Sequence, residues 1–332
     1  MTIAIHARKI GINVLYSKIK IEKNVKKETI IKILFFIVLL DTAAIIYLIY
    51  RPATLEVQHV SKVVPMLKPS DIYCPETFNL AGEYVPLKRT DIAESFRKEL
   101  IVNTYLHSHT IQILKNVSRY FPIIEPILEE EGIPDDFKYL AVIESSLNPL
   151  AVSPAGAVGL WQFMSGTAKE LGMEVNKIVD ERYHIEKSTR AACAYLKKAK
   201  EKFGSWVMAA ASYNAGMNML TRQINIQKEN NYYDLLLGEE TGRYVFRIMA
   251  MKQIIEYPHL YDFHVSEKYE PEKCDDIKVD KNIKDLAHFA NTHGISYKTL
   301  KRFNPWLRAN TLHASEKKSY YIAIPCHPEK YR

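Results

Sequence analysis

The stretch YLAVIESSLNPLAVSPAGAVGLWQFM, residues 139–164, decides how this chain is read. An apolar, helix-like run carries a single acid, Glu144, and no other acid follows until Glu170. A carboxyl walled by Leu140, Ile143 and Leu147 resists ionisation, because desolvation disfavours the charged form. Such a group is a candidate general acid, able to protonate a leaving oxygen near neutral pH. Taken alone, a Glu at a helix end is ordinarily solvated or ion-paired, so its neighbours in the sequence must make the case.

Those neighbours are unusual as a set. SPAGAVG (153–159) has three prolyl or glycyl breaks and only small side chains, so a polymer could approach its backbone closely. GLWQFM (159–164) adds an aromatic face at Trp161 and a two-way hydrogen-bonding amide at Gln162. ASYNAG (211–216) places Tyr213 and Asn214 at a helix end closed by Gly216. EETGRYVFRIMAMKQI (239–254) puts Tyr244 in the first turns of an otherwise apolar helix, where its hydroxyl needs a partner. Each feature has a plain structural explanation as turn, core or cap; their co-occurrence around one acid does not.

Around this region, apolar residues recur at helical spacing from Asp91 onward. Gly132 ends one run, and Pro134 with Asp135 and Asp136 opens the next. Helices are predicted at about 135–145, 159–171, 186–203, 205–215 and 240–256, with almost no strand-like alternation. The fold class expected is mainly α, with an all-α domain over 91–263. Residues 266–332 differ: two short helices near 283–292 and 296–303 precede the alternating SYYIAIP, which reads as a small α+β module.

The 332 residues carry a net charge of +7, but its distribution argues against a nucleic-acid-binding body. Residues 1–32 hold eight Lys/Arg against Glu22 and Glu28, an excess that is most of the total. This basic leader runs into ILFFIVLLDTAAIIYLIY (33–50), long enough as a helix to match a bilayer core. Basic residues on the near side predict a cytoplasmic leader and an uncleaved transmembrane signal-anchor; Asp41 is a costly residue in mid-span. A cleaved signal peptide would need a far shorter n-region. Residues 51–90, mixed and Pro-punctuated, are expected to form a linker. Cys74, Cys193, Cys274 and Cys326 are scattered, without CxxC or Cys–His spacing, so no metal site and no cofactor is expected.

The ordered set of Glu144-Ser145, Gly-Leu-Trp-Gln-Phe-Met, Ala-Ser-Tyr-Asn-Ala-Gly and the later Glu-Thr…Tyr-Val resembles the catalytic domain of the soluble-lytic-transglycosylase family, related in fold to goose-type lysozyme. The resemblance spans about residues 84–263. It implies a lysozyme-like fold and cleavage of the β-1,4 bond between N-acetylmuramic acid and N-acetylglucosamine in peptidoglycan glycan strands. By that resemblance Glu144 acts as acid and then base, freeing the muramoyl 6-hydroxyl to attack the anomeric carbon and give a 1,6-anhydro end. Ordinary glycosidases need two carboxylates; here the substrate supplies the nucleophile. Ser145 would support Glu144, while Gln162, Phe163, Met164, Tyr213, Asn214 and Tyr244 would line the cleft. Trp161 stands where many relatives carry Met. The tail, through Gly294-Ile295-Ser296, Asn304-Pro305 and Ile322-Ala323-Ile324-Pro325, resembles a lysin-motif module, which binds N-acetylglucosamine-containing glycans; a small buttressing domain is the alternative.

The expectation is therefore an enzyme of the bacterial cell envelope, anchored in the inner membrane by residues 33–50, with its catalytic domain in the periplasm. Two alternatives remain. A hydrolytic muramidase on the same fold would need a second carboxylate aimed at water, with Asp180, Glu181 and Glu186 as candidates by position. A non-catalytic glycan-binding protein is disfavoured by the presence of Glu144.

Overall fold

The computed structural model describes residues 27–50 and 72–331, with side chains over 32–43 in the first segment. The described residues fall into two units, 27–50 and 72–331.

In the first unit, helix α1 runs Lys27–Tyr50. Between residues 32 and 43 every side chain except Ile37 is exposed. Among the described residues no helix is long and apolar enough to cross a membrane. The predicted span 33–50 extends past Ala43 into side chains outside the described set, and the basic leader lies almost wholly outside the described residues.

The second unit opens with a hairpin, β1 (Phe78–Leu80) antiparallel to β2 (Glu83–Val85), turned by Ala81 and Gly82 at φ 53° and 80°. Two central residues with positive φ match the right-handed twist of paired strands. Phe78, Leu80 and Val85 are buried in the main core. The linker expected over 51–90 is thus corrected in its second part: these residues belong to the folded domain because alternate side chains point into its core.

The helices are α2 (Thr90–Tyr105), α3 (His107–Glu130), α4 (Lys138–Ser145), α5 (Ser165–Glu170), α6 (Ile185–Phe203), α7 (Trp206–Ala215), α8 (Met217–Gln227) and α9 (Glu239–Glu256). Helix α9 packs on α2, α4 and α7, and ten of its residues are buried. Its polar Arg243 and Arg247 leave the core for ion-pair or backbone partners. Glu83 of the hairpin accepts from Ser205 Oγ at 2.6 Å and from the first backbone N–H groups of α7. A carboxylate there complements the orphan donors of a helix start, and so fixes the helix that carries Tyr213 and Asn214.

One predicted helix is overturned. Residues 159–164 are not helical; Val158 and Phe163 exchange backbone hydrogen bonds of 3.1 and 3.2 Å, and only Ser165–Glu170 coils. Gly159 at φ 84° and Gln162 at φ 49° break the helical path.

The C-terminal module is strand, two helices, strand: β3 (Cys274–Val279), α10 (Leu286–Thr292), α11 (Tyr297–Phe303) and β4 (Tyr320–Pro325), with Cys274 opposite Pro325 and Val279 opposite Tyr320. Asp285 and Ser296 cap the helices through Ala287 N and Thr299 N. Strand β3 was not legible in CDDIKV, because Asp275, Asp276 and Lys278 are polar residues that hide its alternation. The module's core is shared with Val158, Val179 and Tyr183 of the helical domain.

Candidate active site

Glu144 is the penultimate residue of α4. The helix ends on Ser146, which adopts the left-handed conformation at φ 57°, and Leu147 follows with φ 57°. Two consecutive non-glycine residues in this region are unusual and mark a backbone held by its surroundings. Leu147 is fully buried, and His109 Nε2 lies 2.7 Å from Ser146 Oγ.

The Glu144 carboxyl is half-buried and hydrogen-bonded by the Tyr244 hydroxyl, which donates to Oε1. Burial away from water pushes its pKa up from 4.5 to about 7, against the opposing pull of the Tyr244 hydrogen bond and the Arg247 guanidinium. Glu240 adds a smaller upward push. The group therefore holds a proton near neutrality, as the apolar company in the sequence implied.

Tyr244 is buried, and its phenol is driven well above the ordinary tyrosine value by desolvation and by the charge of Glu144. For Tyr213, desolvation first and the charge of Glu144 second raise the phenol. Its hydroxyl donates to the Trp161 carbonyl at 2.8 Å, and its ring lies 5.8 Å from that of buried Phe163. Glu144 and Tyr244 are thus in direct contact from two helices, and Tyr213 lies within reach of the carboxyl's charge.

The other predicted residues are placed differently. Ser145 is buried, and its hydroxyl donates to the Ala141 carbonyl at 3.1 Å within α4. The Gln162 amide nitrogen donates to the carbonyls of Gly159 and Ala151 at 2.8 and 3.2 Å, closing its own loop. Asn214 bonds Glu240 Oε1 at 3.1 Å and accepts from Thr241 Oγ1 at 2.8 Å, joining the end of α7 to the start of α9. Met164 is exposed at the N-cap of α5. Trp161 is no sugar platform: it is fully buried, with its indole N–H donated to Thr189 Oγ1 at 2.8 Å. A core tryptophan with a satisfied N–H has no face left to offer a ligand.

Sequence reasoning missed Arg247 and gave no role to Glu240. Arg247 sits three residues beyond Tyr244, on the same helix face, and its Nη2 donates to the Ile143 carbonyl at 3.2 Å beside Glu144. The α9 spacing contained that signal. Glu240 stands in the Glu-Thr…Tyr-Val motif, and it is an exposed first-turn acid. Of the acids considered as second carboxylates, Asp180 is paired to Arg182 at 2.7 Å, and Glu181 is engaged by Lys187 and the Glu174 backbone N–H. Burial raises the Glu186 carboxyl, and the charges that act on it are those of Asp276 and Arg190. Among the described residues no group of three or more His, Cys, Asp or Glu is placed to hold a metal.

Two family models match parts of the chain. Residues 121–236 match the transglycosylase SLT domain, and residues 275–328 match the soluble lytic transglycosylase C-terminal LysM-like domain. The first match ends before α9, so Tyr244 and Arg247 reach Glu144 from outside it.

Among individual proteins, the chain is similar to membrane-bound lytic murein transglycosylase D of Escherichia coli (strain K12), with 27% identity over 239 residues. That match covers 70% of this chain and 51% of the relative, so the chain spans about half the length of that protein. It is also similar to membrane-bound lytic murein transglycosylase F of Desulfosudis oleivorans, at 31% identity over 180 residues covering 44% of this chain and 38% of the relative. A solved structure of the 70 kDa soluble lytic transglycosylase from Escherichia coli matches with 22% identity and a TM-score of 0.37, covering 46% of this chain and 27% of that one.

Proposed function

We propose that this protein is a peptidoglycan lytic transglycosylase, cleaving the β-1,4 bond between N-acetylmuramic acid and N-acetylglucosamine, with Glu144 as its single acid–base group. The observation that carries this reading is the pairing of Glu144 with a buried phenol, Tyr244, in place of a second carboxylate.

In the reaction, Glu144 delivers its proton to the glycosidic oxygen as the bond to the anomeric carbon breaks, and the acetamido group of the sugar stabilises the cationic centre. The resulting carboxylate then takes the proton of the muramoyl 6-hydroxyl as that oxygen closes on the anomeric carbon. Glu144 ends protonated, as it began. Tyr244 keeps one carboxyl oxygen occupied, which supports orientation of the other toward the sugar, and Arg247 tempers the carboxylate between the two steps. Ser145, Gln162, Phe163, Met164, Tyr213 and Asn214 are proposed to frame the cleft, several of them through the backbone they hold. The names of the relatives support envelope murein as the substrate class and a membrane-bound location. The apolar run ILFFIVLLDTAAIIYLIY in the sequence supports residues 33–50 as an inner-membrane anchor for a periplasmic enzyme.

One observation favours a second reading. Glu240 is an acid whose charge acts on Glu144, and a hydrolytic muramidase would use such a group to activate water. Mass spectrometry of the products from purified peptidoglycan separates the two. Transglycosylation leaves muramoyl ends lighter by one water; reducing ends that retain the water would replace the proposal by hydrolysis.

A further inference from the structure

The loop between Glu144's helix and α5 is held from below by one side chain. Arg182 is buried, and it uses its whole guanidinium. Nε and Nη2 fork onto Asp180 at 2.9 and 2.7 Å, while Nη1 donates to the carbonyls of Gly156 and Phe163 at 3.1 and 3.2 Å. These two carbonyls lie in the 151–163 loop, and Phe163 O also accepts from Val158 N. The backbone is equally close: a Cβ on Gly159 would lie 2.0 Å from Arg182 O. From this loop, Trp161 O accepts the hydroxyl of Tyr213.

Asp180 is in turn fixed by the C-terminal module. Its backbone N–H donates to Trp306 O at 2.9 Å, Arg308 N donates to Ile178 O at 2.8 Å, and Val179 bridges Leu307. The module is fastened a second time where the segment before β3 crosses α3, through Tyr269 N to Lys115 O at 3.0 Å and Arg119 Nε to Glu270 O at 3.3 Å. Shared apolar core and two separate backbone attachments make this a fixed wall, not a tethered domain.

We propose that Arg182 is a positioning residue for the 151–163 loop of the active site, and that the C-terminal module holds it in register through Asp180. The proposal rests on the lytic transglycosylase reading only for its kinetic consequence. A guanidinium satisfies the carboxylate fork and both carbonyls at once, whereas a lysine ammonium is a point charge on a flexible stem. Arg182→Lys therefore keeps the charge and loses the clamp.

The test compares full-length wild type with R182K by amide hydrogen exchange and by steady-state cleavage of purified peptidoglycan. Exchange within 151–163 is expected to rise about tenfold or more while α3 stays unchanged. Misplacing the loop is expected to lower kcat about tenfold with KM within about twofold, since small displacements near reacting groups cost rate. Exchange in the loop and kcat both within about twofold of wild type would overturn the proposal. Should R182K fail to fold, Lys301→Met serves: the Lys301 amine donates to the carbonyls of Leu307 and Ala309, in the loop whose Arg308 N–H bonds Ile178. In K301M, faster exchange reaching 151–163 supports transmission from the module, and faster exchange confined to 304–309 overturns it. A wild type that does not cleave peptidoglycan would sink the activity reading alone, because the exchange comparison still decides the clamp.

Discussion

Tyr244 donates its phenolic hydrogen to Glu144 across 100 residues of sequence, from the first turns of α9 to the last turn of α4. The contact gives the acid one fixed partner inside an otherwise desolvated pocket, and it opposes the effect of burial on the carboxyl. Much of the behaviour expected of the enzyme follows from that balance.

Tyr244→Phe removes the hydroxyl and keeps the ring. Without the donor, the pKa of Glu144 rises further, because this hydrogen bond pulls it down in the wild type. Glu144 must be protonated to act as an acid, so the high-pH limb of kcat/KM should move to higher pH. Loss of orientation should lower kcat about tenfold to a hundredfold. A pH–rate profile superimposable on wild type would remove Tyr244 from the site.

Glu144→Gln keeps shape and the acceptor for Tyr244, and should lower cleavage about 10³-fold or more. It should also stabilise the protein in a pH-dependent way. The carboxyl keeps its proton up to about pH 7 when folded and only to about 4.5 in the unfolded chain. Its contribution is fully present below 4.5 and is lost as pH rises to 7. Allowing for its partial exposure, Gln should gain about 2 kcal/mol over wild type at pH 8 and almost nothing at pH 4. Denaturant unfolding of both proteins at the two pH values measures the difference.

His184 titrates with the opposite sign. Burial first, and Lys187 second, lower its pKa from 6.5 to about 4, and its ring stacks 5.9 Å from Trp306. The native state prefers the neutral ring, so this stabilisation is present above pH 6.5 and is lost as pH falls toward 4. His184→Phe retains the stacking without the proton, and should flatten the acid side of the stability curve by about 2 kcal/mol. An unchanged slope between pH 6.5 and 4 would place the sensitivity elsewhere.

Two neighbouring glycines should respond unequally to alanine. At Gly159 the added Cβ meets Arg182 O at 2.0 Å, and the backbone is at φ +84°. Gly159→Ala should cost about 3 kcal/mol or more, through strain and collision together. At Gly156, φ is +86° but nothing lies within 4 Å of the new atom, so Gly156→Ala should cost about 1 kcal/mol from backbone strain alone. Equal melting temperatures would show that the chain relaxes around Arg182.

The helices near 135–145, 186–203, 205–215 and 240–256, the acid in apolar surroundings and the order of the motifs were legible in the amino acids, whereas α8 (Met217–Gln227) was not predicted. Each depends on short-range physics: a 3.6-residue period, glycine stops, a carboxyl in oily company. What tertiary structure alone decided lies at longer range. Sequence periodicity made 159–164 a helix, yet Arg182 and the bulk of the 180–183 backbone beneath Gly159 hold it as a bridged loop. Trp161 read as an aromatic face or a core residue, and its burial with the indole N–H on Thr189 makes it core. Asn214 read as a cap and a cleft residue, and is the tie through which Glu240 is held at the start of α9. The motifs named Tyr244 alongside Glu144, but the direct contact, and the approach of Arg247 to the Ile143 carbonyl, came only from α9 packing on α4, because local spacing does not encode which helices cross.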